Sequence, residues 1–231
     1  MLENKKILKR IVITISSVCL AVVILFSPFL NNVFNFNYYM SLYERNAVFE
    51  KIDKNDAERL TESMFEFFKY NKDFKSFELK NNLKFFNENE IGHLADVRIV
   101  FNNIFKAYFI SLIIFIIFAG LLFEKKRLIY LKNLTLIFLT ASILVITLML
   151  LLVSLSSNFD YLFEKFHLIF FPQGNWAFPE DSLLITLLPF NFFYSFFLKI
   201  AIGAAVISLI IFIISIISYI LLNKKIKKVY K

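Results

Sequence analysis

The sequence predicts an all-α integral membrane protein, a bundle of four transmembrane helices with a small, mainly helical extracellular cap. Two features of composition indicate this class: 58% of the 231 residues are hydrophobic, and 31 of them are phenylalanine, which exceeds the apolar content of soluble proteins. A third observation gives the number of spans, because four stretches supply the roughly 20 apolar residues that a membrane-crossing helix needs. They are Ile11–Leu30, Ile104–Phe123, Leu134–Val153 and Leu198–Leu222.

The distribution of charge predicts how the chain is oriented in the membrane. The net charge of +8 is concentrated in the tail before the first span, in the loop between the second and third spans, and in the C-terminal tail. With four spans these three segments lie on one side, so the positive-inside rule places both termini in the cytoplasm. Nucleic-acid binding is not expected, because the basic residues flank spans instead of forming a separate domain.

Residues 1–30 are interpreted as a cytoplasmic tail and the first transmembrane helix. The only cysteine, Cys19, lies inside this span, so an intrachain disulfide is impossible. Val18 precedes it, whereas a lipoprotein cleavage site has a small residue there. The apolar stretch is long for a signal peptide and no A-x-A pattern follows it, so the segment is predicted to stay as an anchor.

Residues 31–103 are predicted to form the extracellular cap segment that carries His93. A helix is expected over Asn55–Tyr70, because apolar residues recur there at helical spacing behind a capping Asn55 or Asp56. The pattern fits both a helical domain that packs on itself and a lid over a lipid site.

A second helix is expected to begin at Asn87 or Asn89, and its pattern allows it to run unbroken through His93 into the second span. Glu90, His93 and Asp96 then share one helical face. Because a carboxylate one turn from an imidazole can fix its tautomer and raise its basicity, Glu90 and Asp96 are predicted to orient His93. Residues 104–153 follow as the second and third spans with a basic cytoplasmic loop.

Residues 154–197 are predicted to form an extracellular or interfacial segment that carries His167. The stretch 161–193 contains the second of only two histidines and the only tryptophan, and it is too broken by proline and glycine to be one span. Such an aromatic-rich stretch is expected at the membrane surface. Glu164 precedes His167 by three residues and is predicted to support it. The expected local elements are a short helix behind Asn158 or Asp160, a turn over Pro172–Asn175, and a short helix behind Asp181 or Ser182 that ends before Pro189. Residues 198–231 complete the chain as the fourth span and a basic cytoplasmic tail.

The chemistry that these residues allow is acid–base catalysis by imidazole. Both histidines are predicted to be non-cytoplasmic, and each has an acidic residue three positions before it. The spans carry no charged residue near their middle, which disfavours a transporter. No H-E-x-x-H or G-x-S-x-G pattern occurs. Two alternatives stay open: a non-enzymatic four-helix scaffold or assembly factor, and a metal-dependent membrane hydrolase.

Two motifs resemble a known family. One is E-I-G-H-L-A-D-V at residues 90–97, just before a predicted span. The other is F-H-L-I-F-F at residues 166–171, followed by Gly174, Trp176 and Phe178 and then by L-L-P at residues 187–189 with Phe192 and Phe193. Together, in this order and topology, they resemble the lipoprotein intramolecular transacylase family, Lit.

The resemblance implies an enzyme of the bacterial cytoplasmic membrane, multi-pass, with its active site at the outer leaflet. It implies transfer of the sn-2 acyl chain of a diacylglyceryl-modified lipoprotein to the α-amino group of its N-terminal cysteine, which yields lyso-form lipoprotein. The expected partners are that substrate and membrane lipids, with no nucleic acid. No cofactor and no metal are expected, and a monomer is the working hypothesis.

His93 and His167 match the family's two essential histidines and are therefore the expected catalytic residues. We expect His167 to be the general base and His93 the proton donor or oxyanion stabiliser, although the reverse assignment stays open. The oxyanion donor is expected to be a backbone N–H in the turn of residues 174–176 or the second histidine. Contacts to substrate or to the membrane interface are assigned to Phe170, Phe171, Gly174, Asn175 and Trp176.

Overall fold

A computed structural model describes residues 2–70, 73–74, 77–80 and 84–229. Within these residues every regular element is a helix, so the predicted all-α class is confirmed. The α-helices are α1 (Leu2–Asn32), α2 (Phe36–Arg45), α3 (Lys54–Tyr70), α4 (Glu88–Leu121), α5 (Arg127–Leu155), α6 (Phe159–Phe170), α7 (Leu183–Leu187) and α8 (Phe190–Val229).

Four helical stretches are long and apolar enough to cross a membrane: Glu3–Asn32, Glu88–Leu121, Arg127–Phe170 and Phe190–Val229. Three of them contain a whole predicted span, and Glu88–Leu121 contains all but the last two residues of Ile104–Phe123. The helix expected from Asn87 or Asn89 does run unbroken into the second span as α4. It begins at Glu88 behind Asn87, whose Oδ1 accepts from the backbone N–H of Glu90. The aromatic run before the fourth span is itself helical, since α8 begins directly after Pro189.

The chain divides into two compact units, of which unit 1 comprises Met1–Phe29, Phe105–Ser154 and Ile200–Lys231. Its interior contains serines that are buried among apolar residues. The hydroxyls of Ser17, Ser142 and Ser208 each donate to a carbonyl of their own helix, at 2.7 to 2.9 Å, which pairs them without a partner helix. Gly203 allows α8 to approach α1 closely, because a Cβ at this position would lie 3.0 Å from Cβ of Pro28.

Unit 2 comprises Leu30–Ile104 and Leu155–Lys199 and has a core of its own. Tyr43, Leu42 and Leu60 are completely buried there, and the Tyr43 hydroxyl is hydrogen-bonded to Thr61 Oγ1 at 2.9 Å. The same core includes apolar residues from α7 and from the start of α8, such as Leu187. The segment between the first two spans therefore shares one core with α7 and the start of α8.

The local elements that carry the candidate site have identifiable caps. Asn158 caps α6 by accepting from the N–H of Tyr161, and Ser182 caps α7 by accepting from the N–H of Ile185. Gly174 has a φ of +80° in the turn between these helices, a left-handed conformation that glycine adopts without steric cost. These caps and this turn hold the two short helices of unit 2 in place.

Candidate active site

The two histidines of the chain lie side by side in unit 2. His93 comes from α4 and His167 from α6, and their ring centroids are 6.0 Å apart with an angle of 24° between the ring planes. Both side chains are buried, with 7% and 8% of their surface exposed. The fold thus places next to each other two imidazoles that are remote in sequence.

Aromatic rings surround this histidine pair. The His93 ring lies 4.7 Å from the ring of Phe171 and 5.6 Å from that of Phe178. The His167 ring lies 4.1 Å from the ring of Phe163 and 4.9 Å from that of Trp176. These walls reduce the polarity around both imidazoles, which disfavours their charged forms.

Burial lowers the pKa of both histidines. The pKa of His93 falls to about 4, chiefly because the ring is desolvated and also because His167 would repel its charge, while the Asp96 carboxylate opposes the shift. The pKa of His167 is lowered by desolvation and is partly restored by its hydrogen bond to the Phe163 carbonyl. Both rings are therefore neutral at pH 7, and each has one nitrogen available as a base.

A hydrogen bond of His167 determines which of its two ring nitrogens is available as a base. Its Nδ1 lies 2.7 Å from the backbone oxygen of Phe163, one turn earlier in α6. A carbonyl oxygen only accepts hydrogen bonds, so Nδ1 carries the proton and donates it. The lone pair of the neutral ring consequently resides on Nε2, as a general base requires.

His93 differs in its bonding. Its Nδ1 is buried and has no hydrogen-bond partner among the residues that the structure describes. No local contact at that nitrogen therefore selects its tautomer, and a bound molecule can select it.

Asp96, which was predicted to orient His93, directs its hydrogen bonds to the turn after α6. Its Oδ2 accepts from Gln173 Nε2 at 2.7 Å and from Asn175 Nδ2 at 2.8 Å. The influence of Asp96 on His93 is electrostatic, because its charge raises the pKa of that ring. Asp96 thus fastens the turn beside the histidines.

Glu90, the other acid predicted to orient His93, bonds to backbone amides instead. The buried carboxylate accepts from the N–H of Asn87 through Oε2 and from the N–H of Leu184 through Oε1, both at 2.8 Å. The Asn87 side chain accepts in turn from the N–H of Glu90. These two reciprocal hydrogen bonds form a capping box. Glu90 therefore ties the start of α4 to the first turn of α7.

The remaining predicted residues differ in their distance from the pair. Phe171 is 2% exposed and contacts both imidazoles. Trp176 is half-buried with its ring 4.9 Å from that of His167, and Asn175 is half-buried and bonded to Asp96. Phe170 is 49% exposed and packs on Phe166, and Glu164 is exposed as well. The structure thus places Phe171 and Trp176 at the histidines, holds Asn175 next to Trp176 in the turn, and leaves Phe170 and Glu164 at the surface.

Three residues at the site were absent from the predicted set. Phe163 supplies the carbonyl that fixes the His167 tautomer, a role that any residue type could fill, so residue identity gave no signal. Gln173 lies in the predicted turn, but nothing in the sequence pairs it with Asp96. Phe178 was part of the second motif and was noted only for the resemblance. In the described part of the chain, no three His, Cys, Asp or Glu side chains are grouped as a metal site requires.

Comparison with solved structures shows the same fold. The membrane-integral lipoprotein intramolecular transacylase Lit from Bacillus cereus superposes with a TM-score of 0.75 at 20% identity, over 96% of this chain and 98% of that one. Its variant with one histidine replaced by arginine gives 0.73 at 20% identity, over 100% and 98%. The variant with alanine gives 0.69 at 21% identity, over 98% and 97%. The chain is therefore an all-helical integral membrane protein.

Sequence comparison gives the family. An uncharacterized protein of Aquifex aeolicus is 31% identical over 133 residues, which is 56% of this chain and 56% of the Aquifex protein. The family model of the lipoprotein intramolecular transacylase Lit matches residues 13–193, which include both motifs and both histidines. This chain accordingly belongs to the lipoprotein intramolecular transacylase Lit family.

Proposed function

We propose that this protein is a membrane acyltransferase that makes lyso-form lipoprotein. It moves the sn-2 acyl chain of a diacylglyceryl-modified lipoprotein to the α-amino group of the N-terminal cysteine of the same molecule. The observation that carries this proposal is the buried pair His93 and His167, with ring centroids 6.0 Å apart and both pKa values lowered.

The reaction is a balanced acyl transfer that needs no other reactant. The amine nitrogen attacks the carbonyl carbon of the sn-2 ester, and a C–N bond forms. The tetrahedral intermediate then collapses, the bond from carbon to the sn-2 oxygen breaks, and an amide remains. The proton lost by the amine ends on the sn-2 oxygen, which leaves as a hydroxyl group.

The two imidazoles suit the two proton movements. The amine has an ordinary pKa of about 7.7–8.0 and must lose its proton on attack, and Nε2 of His167 carries the lone pair that accepts it. A neutral His93 can donate a hydrogen bond to the developing oxyanion or to the leaving oxygen. The fixed tautomer of His167 favours it as the base.

Positioning supplies the larger part of the catalysis. Donor ester and acceptor amine belong to one substrate, so the enzyme has to fold that substrate into a reactive conformer, which contributes at most about 7–11 kcal/mol. The aromatic rings around the histidines provide apolar surface on which acyl chains can lie. The turn that Asp96 holds would fix the polar side of the same site.

The proposed topology matches the place where such a substrate exists. The basic segments put both termini in the cytoplasm, and the histidines then face the outer leaflet. A lipoprotein presents its modified N-terminal cysteine at that surface once its signal peptide has been removed.

The test is a reporter assay with purified protein, a diacylglyceryl lipopeptide and no added acyl donor. We expect mass spectrometry of the N-terminal peptide to show N-acylated, sn-2 deacylated product from the unaltered protein, and none from His93→Ala or His167→Ala. Both variants should elute from size exclusion as the parent protein does.

Other results would favour the alternatives. Equal product from both histidine variants would refute the mechanism. The absence of product from the unaltered protein would favour a scaffold. Release of free fatty acid that a chelator stops would favour a metal-dependent hydrolase.

A further inference from the structure

Two buried polar atoms beside the histidine pair, besides Nδ1 of His93, have no hydrogen-bond partner among the residues that the structure describes. They are Oδ1 of Asn175 and Nε1 of Trp176, neighbours in the turn after α6. Folded proteins pair nearly all of their buried polar atoms, so an unpaired one calls for an explanation. Unpaired atoms on two consecutive residues of a candidate active site indicate where polar groups of a ligand belong.

The chemical character of each atom is unambiguous. An indole nitrogen is a donor only. The Asn175 amide has a defined orientation, because its Nδ2 donates to Asp96 Oδ2 at 2.8 Å and a carboxylate can only accept. Its Oδ1 is therefore the free acceptor. The turn presents one donor and one acceptor next to the imidazoles.

The position of the donor is set by packing against the catalytic base. The indole ring lies 4.9 Å from the His167 ring, with 38° between their planes. Gly174, two residues before Trp176, donates its N–H to the Phe171 oxygen at 3.1 Å, and Asp96 holds Gln173 and Asn175. The unpaired atoms thus belong to a segment that is fastened at several points.

A diacylglyceryl lipopeptide has the complementary pair of groups at its reacting centre. The ester carbonyl oxygen accepts a hydrogen bond, and the α-amine donates one. We propose that the indole N–H of Trp176 binds the sn-2 ester carbonyl oxygen and that Asn175 Oδ1 binds an N–H of the α-amine. This assignment rests on the proposed function, and it gives Trp176 a catalytic role beyond the contact to substrate or interface that was expected from sequence.

The hydrogen bond from the indole N–H would be strongest in the tetrahedral intermediate. As the C–N bond forms, the carbonyl π pair moves onto oxygen and makes it an oxyanion, which binds a fixed N–H more tightly than the ester does. When the bond to the sn-2 oxygen breaks, that electron pair returns to the carbonyl. The indole itself neither gains nor loses a proton or electrons.

Binding is tested first, without turnover, by nuclear magnetic resonance. Because Trp176 is the only tryptophan, nitrogen-15 labelling of tryptophan gives a single indole N–H signal. Two lipopeptides with an acetylated amine serve as probes, one with an sn-2 ester and one with an sn-2 ether that lacks the carbonyl. We expect the ester to move the indole proton downfield and the ether to leave it near its starting position. Equal shifts from both probes would overturn the assignment of Trp176.

Catalysis is tested by removing the N–H and keeping the ring. Trp176→Phe, and replacement of the single tryptophan by benzothienylalanine, should each lower the transfer rate about 100-fold or more, the usual effect of losing one oxyanion donor. Benzothienylalanine matches indole in shape, so its effect isolates the N–H. Transfer at the parent rate by the benzothienylalanine protein would exclude the indole N–H as a donor.

A matched pair of variants tests the acceptor. Asn175→Ala and Gln173→Ala each remove one hydrogen bond to the same Asp96 oxygen, and only the first also removes Oδ1. We expect Asn175→Ala to lower the transfer rate about 10-fold more than Gln173→Ala, the loss of a bond to a charged or reacting group. Equal rates for the two variants would remove Asn175 from the proposal.

Failure of this inference and failure of the proposed function give different results. Product formation with identical ester and ether shifts would leave the transacylase function standing and refute the carbonyl contact. Absence of product from the unaltered protein would refute the function, and the ester–ether difference would then decide the carbonyl contact by itself.

Discussion

The surroundings of the two histidines differ far more than their burial does. His93 and His167 are 7% and 8% exposed and contact each other, yet Nδ1 of His167 is bonded to a carbonyl, whereas Nδ1 of His93 has no partner in the described part of the chain. One imidazole has its tautomer set by its own helix. The other can adopt the tautomer that a bound molecule favours.

In the proposed mechanism, this difference separates two catalytic tasks that the sequence could not separate. A general base has to present a lone pair before the substrate arrives, and the bond to Phe163 provides that. The proposed donor has to bond first to the oxyanion and then to the leaving oxygen. A ring nitrogen without another hydrogen-bond partner is suited to both. The comparison therefore favours His167 as the base and His93 as the donor.

The largest expected effect comes from amide replacements that test these two tasks. A side-chain amide can donate a hydrogen bond but cannot act as a base near neutral pH. We expect His167→Asn and His167→Gln to lose transfer activity by about 1,000-fold or more, within the usual range for general base catalysis. His93→Asn or His93→Gln, whichever places its NH₂ at the donor position, should keep at least 10-fold more activity than His93→Ala. The reporter lipopeptide assay measures all of these rates, and rescue at position 167 instead of 93 would reverse the assignment.

A smaller effect is expected from the two acids that precede the histidines. Glu90→Gln leaves one acceptor where two backbone N–H groups now bond, so the free energy of unfolding should fall by about 1–3 kcal/mol. Glu164→Gln changes an exposed side chain and should alter stability by less than about 0.5 kcal/mol. Denaturant unfolding of the purified proteins in detergent compares the two. Equal losses of unfolding free energy in the two variants would show that the three-residue spacing to the histidine, and not the structure around each acid, decides the role of the acid.

A further effect is expected on the pH dependence of stability. His93 titrates at about 4 in the folded protein and near 6.5 when unfolded, so between these values the unfolded chain binds more protons. The free energy of unfolding should therefore be constant above about pH 6.5 and fall as the pH drops towards 4. Thermal unfolding between pH 7.5 and 4.5 measures this, with His93→Gln and His167→Gln as the comparison. The His93 variant should show the larger flattening of the curve; a parent curve that rises on acidification would contradict the burial of neutral imidazoles.

Much of the fold could be predicted because it depends on local patterns. Apolar stretches of membrane-spanning length gave the four spans, and side chains such as Asn158 and Ser182 gave the starts of α6 and α7, since a cap acts within its own first turn. The helical pattern from Asn87 also allowed the unbroken course of α4 through His93. These features need no knowledge of distant contacts.

The site was predictable only in part, because its detailed contacts join distant parts of the chain. Spacing put Glu90 and Asp96 on the face of His93, but it could not reveal that Leu184 offers its amide to Glu90 or that the turn at Gln173 offers its own donors to Asp96. The same spacing also suggested Glu164, which the structure leaves exposed. Sequence thus located the reactive residue types, and tertiary structure decided which carboxylate was used and for what.

The phenyl rings next to the imidazoles bear on the outcome of the reaction as well as on acidity. In the proposed reaction, hydrolysis of the ester would require a water molecule held in line with the carbonyl carbon, and the rings of Phe163, Phe171 and Phe178 offer it no hydrogen bond on their sides of the histidine pair. For the proposed substrate, this favours attack by its own amine. The phenyl rings would then influence how the ester partitions between acyl transfer and hydrolysis.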